Sequence, residues 1–277
     1  MKHQAIFSLG LIFIFLTTTG VKENIDFDNF QAKAYYFSKS KMELGKWGAT
    51  MSEAQKKDVA ARLKNRLEKT YVLSFNREES FFYEDEKLDA LSGATDSWGK
   101  NFSPGKQYKN IKTNSQIQNQ EIYGKKFLVK DSLQSINWEM SSESKVIGKY
   151  NCMKATALIP TNELTWYSFS WSKLANEKES KGDDDSIKQV EMTQVEAWYT
   201  LQIPVGHGPL EYWGLPGLIL EVSADNTTLL CSKIVMNPKE EITIKAPKKG
   251  DVVTKKEYQD IVVKKMKDYR SNRMGRR

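Results

Sequence analysis

His207 stands between Gly206 and Gly208, and apart from His3 it is the only histidine of the chain. Imidazole titrates near neutrality and is the commonest general base. Glu211, Ser223 and Asp225 follow closely enough to supply an orienting carboxylate and a hydroxyl nucleophile. A hydrolase working through His207 is therefore one reading. Spacing adds nothing to it: no Gly-x-Ser-x-Gly elbow, His-Glu-x-x-His helix or Gly-Lys-Ser/Thr phosphate loop occurs. A loop histidine fixed by backbone hydrogen bonds explains the same residues, so no catalytic residue is assigned. Asp183-Asp184-Asp185 lacks the alternating ligands and closing Glu of a calcium loop. Two cysteines and two histidines are too few for a four-thiolate or multi-histidine centre, so no metal and no cofactor is expected.

The residues around His207 fit binding as well as they fit chemistry. Gly206-His207-Gly208-Pro209 is a permissive loop, and Tyr212 and Trp213 add flat apolar surface. Gly214-Leu215-Pro216-Gly217-Leu218-Ile219 then reads as a type II turn, with proline presetting the first φ and Gly217 supplying a positive second φ. Trp166, Tyr167, Trp171 and Trp198 are further candidates for lining a groove.

The elements that must position these residues read mostly as strands. Alternating or β-rich runs lie at 31–37, 71–76, 80–84, 126–130, 136–140, 145–158, 195–201, 217–222, 228–235 and 241–245, with Gly148 as a kink. Ser52 and Gln55 form a capping box that opens a helix carrying Val59, Leu63 and Leu67. Thr254 and Glu257 open a second helix, with Tyr258, Ile261, Val262, Met266 and Tyr269 on one stripe. Residues 92–119 are polar and read as a long loop or weak edge strands, and the charged stretch 173–190 as a mobile insertion. Many strands, few helices and no βαβ alternation predict a mainly β (α+β) fold: a curved antiparallel sheet or half-barrel packed on one or two helices.

At 39% hydrophobic and 11% aromatic, the 277 residues can bury a core, and disorder throughout is excluded. The net charge of +7 is confined to the last 41 residues, where 13 basic residues face six acidic ones; the remainder balances. That distribution describes a basic C-terminal helix and tail over 254–277, not a nucleic-acid-binding surface. It allows weak contact with anionic surfaces through the tail. The apolar run from Ala5 to Leu16 follows a basic start and precedes small residues, which predicts a signal peptide over 1–20 and export to the periplasm or beyond. In an oxidising compartment Cys152 and Cys231 are then expected to pair.

The segment 196–222 resembles the GLPGLI family of exported bacterial proteins. Its name-giving hexapeptide is residues 214–219. The resemblance extends to Trp198-Tyr199-Thr200, Ile203-Pro204, Gly208-Pro209, Trp138, Ile147 through Cys152, Lys154-Ala155, and Cys231 through Lys239. It covers the chain from about residue 30, with residues 160–193 expanded. It implies a single domain over 21–277 in the bacterial envelope, a sheet curled around a helix similar to periplasmic lipoprotein carriers, and no established activity. The combined expectation is a monomeric, non-catalytic binding or carrier module for a lipid, peptide or envelope protein. A hydrolase using His207 and a purely structural, partner-docking protein are the alternatives.

Overall fold

The computed structural model describes residues 30–41, 48–85, 103–171 and 190–274. The expected signal peptide, the Asp183-Asp184-Asp185 run and all of the charged insertion except Val190 lie outside them.

Two meanders build one sheet. The first is β1 (Ala32–Ser40), β2 (Glu68–Phe75), β3 (Glu79–Glu84), β4 (Gln107–Asn110), β5 (Ser115–Ile122) and β6 (Lys125–Ser132). The second is β7 (Glu139–Ile147), β8 (Tyr150–Pro160), β9 (Met192–Thr200), β10 (Leu218–Ala224) and β11 (Thr227–Met236). β11 returns beside β1 and joins them, and β12 (Asp251–Val253) adds to β6 at the far edge. The result is a 12-stranded, open, curved sheet in the order β12-β6-β5-β4-β3-β2-β1-β11-β10-β9-β8-β7. The expected mainly β class holds, with one refinement: the β12–β6 pair is parallel. Register shifts in the β1–β11, β9–β10 and β7–β8 pairs are the irregularities that bend and twist strands.

Local chemistry accounts for several joints. Tyr123 and Gly124 both take positive φ between paired Ile122 and Lys125, as a two-residue hairpin requires. Gly148 is not a kink within a strand; at φ +60 it begins the turn joining β7 to β8. Residues 241–245 form no strand, although Ile242 is buried and its N–H donates to Gln31.

The helices are α1 (Glu53–Arg62), α2 (Lys64–Leu67), α3 (Thr161–Leu164) and α4 (Lys255–Met274). Both capping boxes form: Ser52 with Gln55, and Thr254 with Glu257. α1 buries no residue, so its apolar repeat is too narrow to seat it on the sheet. α4 buries Tyr258, Val262 and Met266 with Ile122, Phe127, Val129 and Trp166, leaving Lys256, Lys264, Lys265 and Lys267 exposed. Tyr269 remains 44% exposed and stacks on Tyr123 instead. A larger apolar cluster joins β1–β3, β8–β11 and loop residues Ile203, Val205, Tyr212 and Leu215.

The expected disulfide is absent: Cys152 and Cys231 are free, buried thiols. They lie on β8 and β11, with β9 and β10 between them, so they are not neighbours in the sheet order. Burial pushes the Cys152 thiol up to about 11 and Cys231 to about 12, leaving both protonated and poorly nucleophilic near neutrality.

Candidate functional site

The loop from Gly206 to Gly214 is pinned at both ends of its arc. Gly214 N–H donates to the Gly206 carbonyl at 2.9 Å, and Ile219 N–H to the His207 carbonyl at 3.1 Å. From β4, the Lys109 ammonium donates to the carbonyls of Gly208, Leu210 and Tyr212 at 2.8, 2.7 and 3.2 Å. An ammonium has three N–H donors and no acceptor, so these carbonyls use its full capacity. Lys109 is fully buried, and burial pulls its ammonium down to about 7; the nearby Glu211 carboxylate opposes that shift, while Lys255 adds to it. The grip is strong enough to hold Leu210 at φ +48, a conformation costing an L side chain on the order of 1–2 kcal/mol.

Glu211 points into a second polar network. Its Oε1 accepts from Gln107 Nε2 at 3.0 Å, Gln116 Nε2 at 3.2 Å and Trp166 Nε1 at 3.0 Å, while Oε2 meets Lys255 Nζ at 3.4 Å. Gln107 also donates to Gln118 across the β4–β5 pair. Gln116, Gln118 and Gln120 alternate along β5 and are all buried. Residues 107–119, part of the stretch 92–119 expected as loop or weak edge strands, thus form β4 and much of β5, interior strands whose inward face is polar. Strand period was present there, but without the apolar contrast that makes it visible. Lys109, Gln107, Gln116 and Gln118 were missed for that reason.

His207 is wholly buried. Its Nε2 lies 3.1 Å from the Asn76 carbonyl, which can only accept, so Nε2 carries the proton. Its ring tilts against Phe75 at 5.9 Å between centroids. Burial, then the Lys109 charge, hold the imidazole down to about 3 against the Asn76 hydrogen bond. Ser223 hydrogen-bonds Thr228, and Glu211 is engaged as described. The proposed nucleophile, base and orienter therefore each have other partners.

Trp213 Nε1 donates to the Gln134 carbonyl at 2.7 Å, and its own carbonyl accepts from Trp138 Nε1 at 2.8 Å. Beside it opens a cleft of about 950 Å³, lined by Gly206, Trp213 and Gly214 of the loop and by Asn76, Arg77, Glu78, Ile111 and Lys112 of two hairpin tips, with Phe30 and Gln31. The remaining aromatics do not share it. Trp166 is 1% exposed beneath α4, and Tyr167 meets it edge to face. Trp171 is exposed under Arg270, and Trp198 is buried in the larger cluster with Lys145 Nζ 4.2 Å above its ring. Pro209 belongs to the pinned loop rather than to the lining, and Tyr212 and Leu215 are core.

The hexapeptide works differently from a type II turn with Gly217 at positive φ. The positive φ belongs to Gly214, at +90, whereas Gly217 is absent from the left-handed region. Gly217 is needed because a Cβ there would lie 2.0 Å from the Thr200 carbonyl oxygen. Leu218 and Ile219 are then free to enter the core as β10 begins.

Two outcomes follow. Gly217→Ala forces backbone apart and is expected to lower the unfolding free energy by about 1–3 kcal/mol, read from the urea midpoint; an unchanged midpoint would remove close approach as the reason for glycine. For His207, the unfolded imidazole binds a proton below roughly 6.5 that the folded ring refuses down to about 3. Its contribution is full above about 6.5 and is lost as pH falls toward 3. Melting temperature should therefore drop between pH 6.5 and 4, and drop less steeply in His207→Asn, which keeps a donor without titrating; equal slopes would clear His207.

Residues 138–221 match the model of an uncharacterised family described as "Protein of unknown function (Porph_ging)". The match includes the hexapeptide and covers less than half of the chain; the GLPGLI name rests on the motif alone. No curated protein matches the chain. Among solved structures, "Structure of PNGF-II in C2 space group" is similar at 13% identity with a TM-score of 0.46, covering 85% of this chain and 33% of that one. "Structure of PNGF-II in P21 space group" is similar at 13% identity with a TM-score of 0.44, covering 84% and 33%. The chain thus spans about a third of the length of each, 33% in both cases.

Proposed function

We propose that the protein is an exported, non-catalytic binding module whose ligand occupies the cleft between the 206–214 loop and the β2–β3 and β4–β5 hairpin tips. The cleft carries this reading. Its volume of about 950 Å³ lies in the range of small-molecule sites, and its open walls combine Trp213, Phe30 and Ile111 with the polar side chains of Gln31, Asn76, Arg77, Glu78 and Lys112. His207 ties the loop to the β2–β3 tip through Asn76, and Lys109 ties it to β4. The cost of ordering such a wall is met during folding rather than on binding.

The hydrolase reading has less support. An imidazole held near 3 is too weakly basic to take a proton efficiently at neutral pH. Its Nε2–H is committed to Asn76, and no hydroxyl, thiol or carboxylate donates to or accepts from it among the described residues. Export is supported by the residues that predict a signal peptide, and among the described residues no helix is long and apolar enough to cross a membrane.

Two measurements test this. N-terminal sequencing of the protein recovered from cells should find residues through about Gly20 removed, and retention of Met1 would overturn export. In ¹⁵N–¹H spectra titrated with lipid, peptide and small-molecule panels, a ligand should move the Trp213 indole and the Gly206 and Gly214 amides together, leaving the Trp166 and Trp198 indoles still. A ligand that moves the latter pair and spares Trp213 would place binding elsewhere.

A further inference from the structure

Arg77 and Glu78 are the two central residues of the turn joining β2 to β3. Asn76 Oδ1 accepts the N–H groups of Glu78 and Glu79 at 2.9 and 2.7 Å, and Asn76 N–H donates to the Glu79 carbonyl at 2.9 Å. The neighbouring tip is built alike: Asn110 Oδ1 accepts from the N–H groups of Lys112 and Thr113 at 3.0 and 2.9 Å. The tips are stitched together by Ile111 N–H to the Glu78 carbonyl at 2.8 Å and by Lys112 Nζ to Glu78 at 2.6 Å. With the His207 bond to Asn76, this makes one side of the cleft a fixed polar wall.

The charges on that wall do not cancel. Glu78 and Lys112 neutralise one another, while Arg77 makes no hydrogen bond, ion pair or ring contact among the described residues. Glu78 is the only carboxylate among the described lining residues and is paired with Lys112, so the lining carries a net positive charge through Arg77. A guanidinium presents a planar fork of N–H donors that fits a carboxylate or phosphate. Elsewhere on the lining, the Trp213 indole N–H and backbone carbonyl are both occupied, so that side chain has only ring surface to offer, along with the apolar Phe30 and Ile111.

We infer that the cleft selects a small organic anion, with a carboxylate or phosphate on Arg77 and a flat or aliphatic body against Trp213. This rests on the cleft being the binding site and adds the chemical class of its ligand. A ligand with one anionic end and one apolar end suits the Arg77 guanidinium and the Trp213 ring.

The test uses the mature protein and four probes sharing one ring: benzoate, phenyl phosphate, benzamide and benzamidine. Indole and guanidinium N–H resonances are followed by ¹⁵N–¹H spectroscopy. One or both anions should move the Trp213 indole and the Arg77 Nε–H, binding about tenfold or more tightly than benzamide and benzamidine. The ranking of the two anions identifies the head group. Arg77→Gln should abolish that preference without lowering the melting temperature, and Arg77→Lys should restore part of it. Equal binding of benzamide and benzoate at Trp213, or anion preference unchanged in Arg77→Gln, would overturn the anion assignment while leaving the cleft a binding site. No movement at Trp213 with any probe would overturn both.

Discussion

The Lys109 ammonium, fixed on β4, donates to three carbonyls within one loop, and the conformation of the 206–214 loop depends on that contact. Without it, two buried carbonyls, those of Gly208 and Tyr212, would lose a partner at about 1–3 kcal/mol each, and the part-buried Leu210 carbonyl would lose one as well. Leu210 would also lose its restraint to positive φ. Because β4 belongs to the first meander and the loop connects β9 to β10 in the second, Lys109 is also a bond between the halves of the chain. The β1–β11 pairing joins those halves at the centre of the sheet; Lys109 joins them through the interior.

The Glu211 network extends this logic. It draws on β4 through Gln107, β5 through Gln116, the segment after β8 through Trp166, and α4 through Lys255. Trp166 belongs to the apolar cluster under α4, and the adjacent Tyr212 to the larger cluster. Polar groups thus occupy the space between two apolar cores. Apolar contact is indifferent to direction, whereas these hydrogen bonds require particular partners at particular angles. They orient α4 and the loop relative to the sheet in a way that the two clusters alone would not specify.

Legibility in the sequence followed burial contrast. α4 was readable because Tyr258, Val262 and Met266 repeat at helical spacing between solvated lysines, and the box of Thr254 and Glu257 marks its start. β4 and β5 were hidden because Gln107, Lys109, Gln116, Gln118 and Gln120 occupy inward positions normally filled by apolar side chains. The capping box of α1 formed as expected, yet Val59 and Leu63 are not buried, since a helix start is a local matter and its docking is not. The loop around His207 stands out in the sequence by its composition, but the chemistry of its histidine is changed by burial: enclosed, the ring is a neutral donor to Asn76.

Most of the strand content, both helix starts and the confinement of excess positive charge to the last 41 residues were determined by the sequence itself, because each depends on residues within a few positions of one another. The tertiary structure alone decided that Gly217 serves close approach to Thr200, that Cys152 and Cys231 are buried as free thiols, and that Lys109 reaches across about a hundred residues to the motif loop. It also decided that Arg77 and Trp213 line one cleft. Those outcomes depend on the curvature and strand order of the sheet, which bring distant backbone to contact distance and determine which polar groups lose water. Local pattern carries no record of that closure.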